Sequence, residues 1–166
     1  MSTFVTVGNA PQPFDRLLKA VQAVTPLLPR PVVVQRGASS FSDPDWMCHD
    51  FFSMADFENL IRSASVLIMH CGAGSVVNAV RDGHNPIVMP RLAKFGEHID
   101  DHQLEFAEAL SRVGYVRLVV DAHELRKALT AMPAGGAALQ RAVKTSALVG
   151  ALSEVMDSLS HKISVL

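Results

Sequence analysis

Short apolar runs rich in β-branched residues alternate along this chain with stretches whose apolar positions recur every three or four residues. The first pattern is that of buried strands, the second that of helices packed by one face. Residues 4–7 read as a buried strand closed by Gly8-Asn9. Residues 14–28 follow as a helix with Leu17, Leu18, Val21, Val24 and Leu28 on one face, ended by Pro29 and Pro31. Residues 32–35 form a second strand. A short third strand, 46–49, comes after the turn Asp43-Pro44-Asp45. Residues 54–64 are predicted helical, with Phe57, Leu60 and Ile61 facing inward, and 66–69 are the clearest strand. Gly74 or Ser75 opens a helix that stops near Asp82-Gly83. A strand at 86–89, a long loop at 91–100, a helix at 101–112, a strand at 115–120 and a helix at 122–131 complete the series. After the break Pro133-Ala134-Gly135-Gly136, residues 137–159 read as one further helix or two. Leu148, Leu152, Val155 and Leu159 line one face there, either packed on the domain or offered to a partner. The alternation predicts an α/β fold, a Rossmann-like doubly wound parallel sheet with helices on both faces. Ligands then belong outside the carboxyl ends of the strands.

Composition narrows this picture. With 166 residues the chain is long enough for one domain with a proper core, and 49% apolar against 19% charged residues exclude disorder. Fifteen basic and sixteen acidic side chains nearly cancel, which argues against a nucleic-acid partner held by charge. Cys48 and Cys71 are too few for a disulfide framework. No apolar run approaches the roughly 20 residues of a membrane-spanning helix, and no basic stretch precedes an apolar one at Met1. A cytoplasmic location is expected.

Candidate chemistry gathers just after two strands. His70-Cys71-Gly72-Ala73-Gly74-Ser75 joins a strand to a helix. Glycines there admit a ligand close to the backbone, and the N–H groups at a helix start attract anions, a diphosphate above all. Val77 occupies the last glycine position of a dinucleotide fingerprint, so that fold is disfavoured. The plainer alternative is a tight turn with Ser75 as N-cap. The second concentration is Gly96-Glu97-His98-Ile99-Asp100-Asp101-His102-Gln103. Asp100 with Gln103 fits a capping box, which leaves His98 and His102 unaccounted for. Arg91 and Lys94 either neutralise a diphosphate or are exposed loop charges, and Phe51-Phe52 either stack on a base or pack in the core. Cys71 beside His70 is weighed as a nucleophile against a small buried cysteine. Asp43-Pro44-Asp45 has the spacing of a metal-holding D-x-D but reads as a turn. The adjacent pairs Cys48-His49 and His70-Cys71 lack zinc-ligand spacing, so no metal site is expected.

Several segments, taken in order, resemble a small family of split glycosyltransferases. They are Phe4-Val5-Thr6-Val7-Gly8, Phe14-Asp15-Arg16-Leu17, Val33-Val34-Gln35-Arg36-Gly37, Ala64 through Ser75, Gly96-Glu97-His98 and Asp101-His102-Gln103. That family includes the catalytic subunit that adds the second N-acetylglucosamine to dolichol diphosphate, and bacterial exopolysaccharide and capsule subunits. The last are the more similar because of the loop at 96–103. All resemble the C-terminal, donor-binding half of GT-B enzymes of family 28. The resemblance implies that 1–166 is a single nucleotide-sugar-binding domain, with 137–166 a C-terminal helical segment. It implies a UDP-sugar donor, no cofactor and no required divalent metal. Gly72, Ala73, Gly74 and Ser75 would meet the diphosphate. Asp101, His102 and Gln103 would meet the ribose, diphosphate or sugar, with His70 at the floor of the site. Gly8, Asn9, Gln35, Gly37 and Phe52 would complete the donor pocket, and Asn78 stands where relatives often carry a ribose-gripping acid. His70, Glu97 and His98 are the local candidates for the base. Transfer would be inverting, from the UDP-sugar to a lipid-diphosphate-linked sugar. It would depend on a membrane-anchored acceptor-binding subunit that holds this chain at the inner face of the membrane, a homodimer being left open. A non-enzymatic nucleotide-binding module shares the same pocket and is the alternative.

Overall fold

The structure is a computed structural model that describes residues 1–132 and residue 150. Six parallel strands make one sheet: β1 (Thr3–Thr6), β2 (Val32–Gln35), β3 (Trp46–His49), β4 (Val66–His70), β5 (Ile87–Met89) and β6 (Arg117–Leu118). Their order is β3-β2-β1-β4-β5-β6, with Val5 level with both Val34 and Ile68. The chain therefore winds outward from β1 in one direction and from β4 in the other. The expected doubly wound α/β fold is the observed one.

The helices are α1 (Asp15–Gln22), α2 (Met54–Ser63), α3 (Ala73–Arg81), α4 (His102–Arg112) and α5 (Ala122–Thr130). Because successive strand side chains point to opposite faces, each central strand feeds two cores. Val5, Val34, Ile68 and Ile87 pack with Leu17, Leu18 and Val21 of α1 and Leu125 of α5. Phe4, Leu67, Met69 and Val88 pack on the other face with Ile61, Val76, Val80, Phe106 and Leu110 of α2, α3 and α4.

Three elements differ from the sequence pattern, each for a local reason. The helix expected over 14–28 stops at Gln22, and a 3₁₀ turn, Thr25–Leu27, replaces its end. Pro26 has no N–H to continue an α-helix and its ring would meet the carbonyl four residues back. Thr25 is instead buried, its hydroxyl donating to the Val21 carbonyl and accepting from the Trp46 indole. The helix after β4 begins at Ala73 rather than at 74 or 75. Its N-cap is Gly72, with no side-chain cap, so Ser75 is not the cap. The strand expected over 115–120 shortens to Arg117–Leu118, because the Tyr115 N–H turns back to the Leu110 carbonyl. The expected segment 137–166 lies, apart from Gly150, outside the described residues.

Candidate functional site

The strand order reverses between β1 and β4, and a crevice opens there at their carboxyl ends. A cleft of about 350 Å³ occupies it. Gly8 and Asn9 come from the exit of β1, and Gln35 from the end of β2. Phe52, Met54 and Phe57 come from the approach to α2 and its first turns. His70, Gly72, Ala73, Gly74, Ser75 and Asn78 come from β4 and α3. Ten of the residues expected to hold a donor thus share one cavity. Met54 and Phe57 join them without having been anticipated, since their spacing on α2 reads simply as core or surface. A shallow groove of about 870 Å³ continues along α2 and meets the cleft at Phe52.

His70 sets the shape of the floor. It ends β4, is 8% exposed, and its ring fills the space where a Cβ of Gly8 or of Gly72 would stand. Gly8 is further fixed by its φ of +79°, and its N–H is received by the Thr6 hydroxyl at 3.1 Å. Burial, then the charge of Arg91 and the proximity of His98, push the His70 pKa down to about 4, while the Thr6 backbone works the other way. The ring is therefore neutral at neutral pH. The Thr6 contact falls short of a hydrogen bond, and Nδ1 is buried with no partner among the described residues.

Gly74 is a glycine of another kind. A Cβ there would meet nothing within 4 Å, so packing does not account for it, and it leaves α3's first turn open to the cleft. The N–H groups of that turn carry no side-chain cap and form the positive end of the helix dipole. Such a helix start accepts phosphate oxygens. Opposite, the Gln35 amide donates to Asn9 Oδ1 at 2.8 Å, and Gln35 Oε1 is buried without a partner. Phe52 leans on His49 at 4.7 Å and meets Phe4 edge-on at 6.1 Å, so it packs and lines the cleft at once. Gly37 stands just behind, where a Cβ would press on the Gly8 carbonyl and on Val7 at 2.9 Å.

The loop between β5 and α4 is tied mostly to itself. The capping box does not form: Gln103 Oε1 accepts the Arg91 N–H, Asp101 Oδ1 accepts the Ala93 N–H, and α4 has no side-chain cap. Asp100 instead holds two imidazoles, its Oδ1 3.0 Å from His98 Nδ1 and its Oδ2 3.0 Å from His102 Nδ1. Glu97, His98, Asp101, His102 and Gln103 do not line the cleft, although His98 lies within electrostatic reach of His70. Glu97 departs furthest from its expected role as a base. It is 5% exposed, pairs with Arg16 through both oxygens at 2.8–2.9 Å, and also accepts the Leu92 N–H.

Arg91 is neither a diphosphate ligand nor an exposed charge. It is fully buried, donates to the carbonyls of Val7, Gln12 and Glu97, and lies over the Phe14 ring at 4.8 Å. Burial holds its pKa below the usual guanidinium range, and Glu97 opposes that shift. Lys94 is exposed beside Phe95. Neither the Arg16–Glu97 pair nor the Arg91 tether is visible in sequence spacing, since their partners lie about eighty positions apart. Cys71 is buried, and burial pushes its thiol up to about 12, which removes it as a nucleophile. Asp43 closes a turn on the Asp45 N–H and Asp45 pairs with Arg30, all at the amino end of β3, away from the cleft. Among the described residues no metal-ligating cluster of three forms.

Sheet order defines a Rossmann-like domain, and its switch-point cleft is lined by an uncapped helix start and an enclosed neutral histidine. The model of the glycosyltransferase family 28 C-terminal domain matches residues 2–158. The chain belongs to this family. It is 36% identical over 61 residues to the UDP-N-acetylglucosamine transferase subunit ALG13 of Cryptococcus neoformans var. neoformans serotype D, in strains JEC21 and B-3501A. That alignment spans 37% of this chain and 30% of the relative's length. Among solved structures, the glycotransferase of kitacinnamycin superposes with a TM-score of 0.58 at 19% identity, over 96% of this chain and 38% of that one. CalG4, the calicheamicin glycosyltransferase, gives 0.56 at 16% identity, over 80% of this chain and 34% of that one. At such identity the likeness is one of fold, that of the C-terminal half of a GT-B glycosyltransferase, as expected.

Proposed function

We propose that this chain is the donor-binding half of a two-part glycosyltransferase. It would move a sugar, with inversion, from a UDP-sugar to a lipid-diphosphate-linked acceptor during exopolysaccharide or capsule synthesis. The carrying observation is the cleft itself, where α3's uncapped first turn stands open at Gly74 beside a histidine kept neutral. A leaving diphosphate gathers charge, and fixed N–H groups stabilise it without reorganising. In this reading the reaction proceeds without a required divalent cation, the helix start and neutral hydrogen-bonding groups taking the charge. Asn9, Gln35 and Asn78 offer neutral hydrogen-bonding groups suited to ribose or sugar hydroxyls.

A second polypeptide belongs to this reading. The curated relative is named as a transferase subunit. A membrane-anchored partner would bind the acceptor and hold this chain at the cytoplasmic face. Among the described residues no helix is long and apolar enough to cross a membrane.

Titration calorimetry of the full chain with UDP, UMP and UDP-N-acetylglucosamine tests the donor site. UDP is expected to bind at least tenfold more tightly than UMP, and Gly74→Asp to abolish the difference by placing a carboxylate where the diphosphate lies. Equal affinities for UDP and UMP, or a Gly74→Asp variant that binds UDP normally, would refute the assignment.

A further inference from the structure

The two walls of the cleft approach each other across a single side chain. Gly8 follows β1 and Gly72 caps the start of α3, and a Cβ on either would strike the same atom, Nε2 of His70. One imidazole therefore separates the exit of β1 from the first turn of α3. Asn9 follows Gly8 on one wall, Ala73 and Gly74 follow Gly72 on the other, and all line the cleft. The Asn9 side chain thus stands beside the place where α3 presents its uncapped N–H groups.

Asn9 is exposed, yet one arm of its amide is already committed. Gln35, 2% exposed at the end of β2, donates from Nε2 to Asn9 Oδ1 at 2.8 Å. An amide accepts through one arm and donates through the other. With Oδ1 spent on Gln35, Asn9 has only its Nδ2 hydrogens to offer, and among the described residues no hydrogen bond takes them up. A free terminal amide turns readily between two orientations and would show its carbonyl as often as its N–H groups. Gln35 removes that freedom from a fixed base. Its backbone carbonyl receives the Val7 N–H at 3.1 Å, and it sits level with Thr6 in the sheet. The Val7 carbonyl, one residue before Gly8, is held in turn by Arg91. Gln35 was expected to touch the donor, but its own Oε1 is buried out of a guest's reach.

Resting on the donor-site reading above, we propose that Gln35 is a positioning residue that sets the polarity of the Asn9 amide. It turns Nδ2 of Asn9, and not Oδ1, to the terminal phosphoryl oxygens held at the start of α3. Gln35 does not touch the donor; it acts through Asn9. The cleft then offers N–H groups from both walls to one anion, and the carbonyl that would repel that anion faces the sheet instead.

The test is calorimetric titration of the purified full-length chain with UDP and with UMP, for wild type, Asn9→Ala, Gln35→Met and the double variant, with a thermal melt of each. Asn9→Ala is expected to weaken UDP about 10–100-fold, the usual worth of a hydrogen bond to a charged group. Gln35→Met should weaken UDP about 3–30-fold, because a freed amide spends part of its time with the carbonyl inward. Both should leave UMP within about twofold, since UMP lacks the terminal phosphoryl group, and so both shrink the preference for UDP. In the Asn9→Ala background Gln35→Met should add nothing, because the two side chains act as one unit. Methionine fills the place of glutamine, and the exposed Asn9 carbonyl regains water, so Gln35→Met should melt within about 4 °C of wild type. Three results would overturn the proposal. They are a Gln35→Met variant that binds UDP as wild type does, single losses that multiply in the double variant, and equal weakening of UDP and UMP. A wild-type chain with no preference for UDP over UMP would overturn the donor-site reading itself, and this proposal with it.

Discussion

Gly8 and Gly72 exist in this fold because of one imidazole. Either Cβ would overlap the His70 ring, which has sheet on one side and the two loops on the others. Gly72→Ala is therefore expected to destabilise the chain by about 1–3 kcal/mol, the ordinary range for overpacking a well-filled site. Combining it with His70→Ala should cost less than the sum of the two single changes. Urea denaturation of the three variants checks both statements, and strict additivity would show that the ring is not what excludes the methyl group. Gly74→Ala offers the contrast. It meets open space, so stability should stay within about 0.5 kcal/mol of wild type. At this scale the sequence is a partial guide. It places His70, Gly72 and Gly74 in one turn, yet it does not distinguish a glycine required by a neighbouring ring from one that leaves room for a guest. That difference depends on what stands opposite in space.

The first helix and the loop before α4 are joined by charges the sequence does not pair. Arg16 on α1 grips Glu97 on the loop before α4, and it also donates to the carbonyls of Pro90 and Val120. Its guanidinium also lies over the Phe14 and Phe95 rings, at 5.3 and 5.1 Å. Glu97 is nearly enclosed, so removing its partner strands a buried carboxylate. Arg16→Met should cost about 3–5 kcal/mol, the usual penalty for breaking a buried pair. Arg16→Met with Glu97→Gln should recover part of that loss, and a thermal melt of each variant measures it. A surface-type response below about 1 kcal/mol would show that solvent screens this pair. Strands and helices were legible because their periodicity is local. Where the reading of elements failed, a single residue competed with the pattern, as Pro26 did in the first helix. The loop at 96–103 was legible as a concentration of polar groups but not as a geometry. Gln103 turns to the Arg91 N–H and Asp100 to two histidines, and both choices depend on how β5 and α4 meet.

For the whole molecule, the buried neutral histidine sets a pH response. The folded-state pKa of His70, about 4, lies below its ordinary value of 6.5. Between those values the unfolded chain binds a proton that the folded one refuses, so stability falls as pH falls through that window. The full difference amounts to about 3 kcal/mol, at 1.36 kcal/mol per pKa unit. Chemical denaturation at pH 7.5 and at pH 4.5 is expected to show a larger loss for wild type than for His70→Asn, which carries no titrating ring. Identical losses would show that His70 is protonated without unfolding. The doubly wound sheet and the position of the cleft were legible from strand–helix alternation alone, because topology fixes where such sheets bind. The tethers behind the cleft were not, because the contacts of Arg91 join residues up to 84 positions apart.

Those contacts have one further consequence. Arg91 fastens the carbonyls of Val7, Gln12 and Glu97 with bonds the chain makes to itself. The two loops they belong to are thus ordered when the chain folds. Fixing one backbone residue costs about 1–2 kcal/mol of conformational entropy. For the loop after β1, which gives Gly8 and Asn9 to the cleft, that cost is met during folding, so a guest is spared the work of arranging that wall.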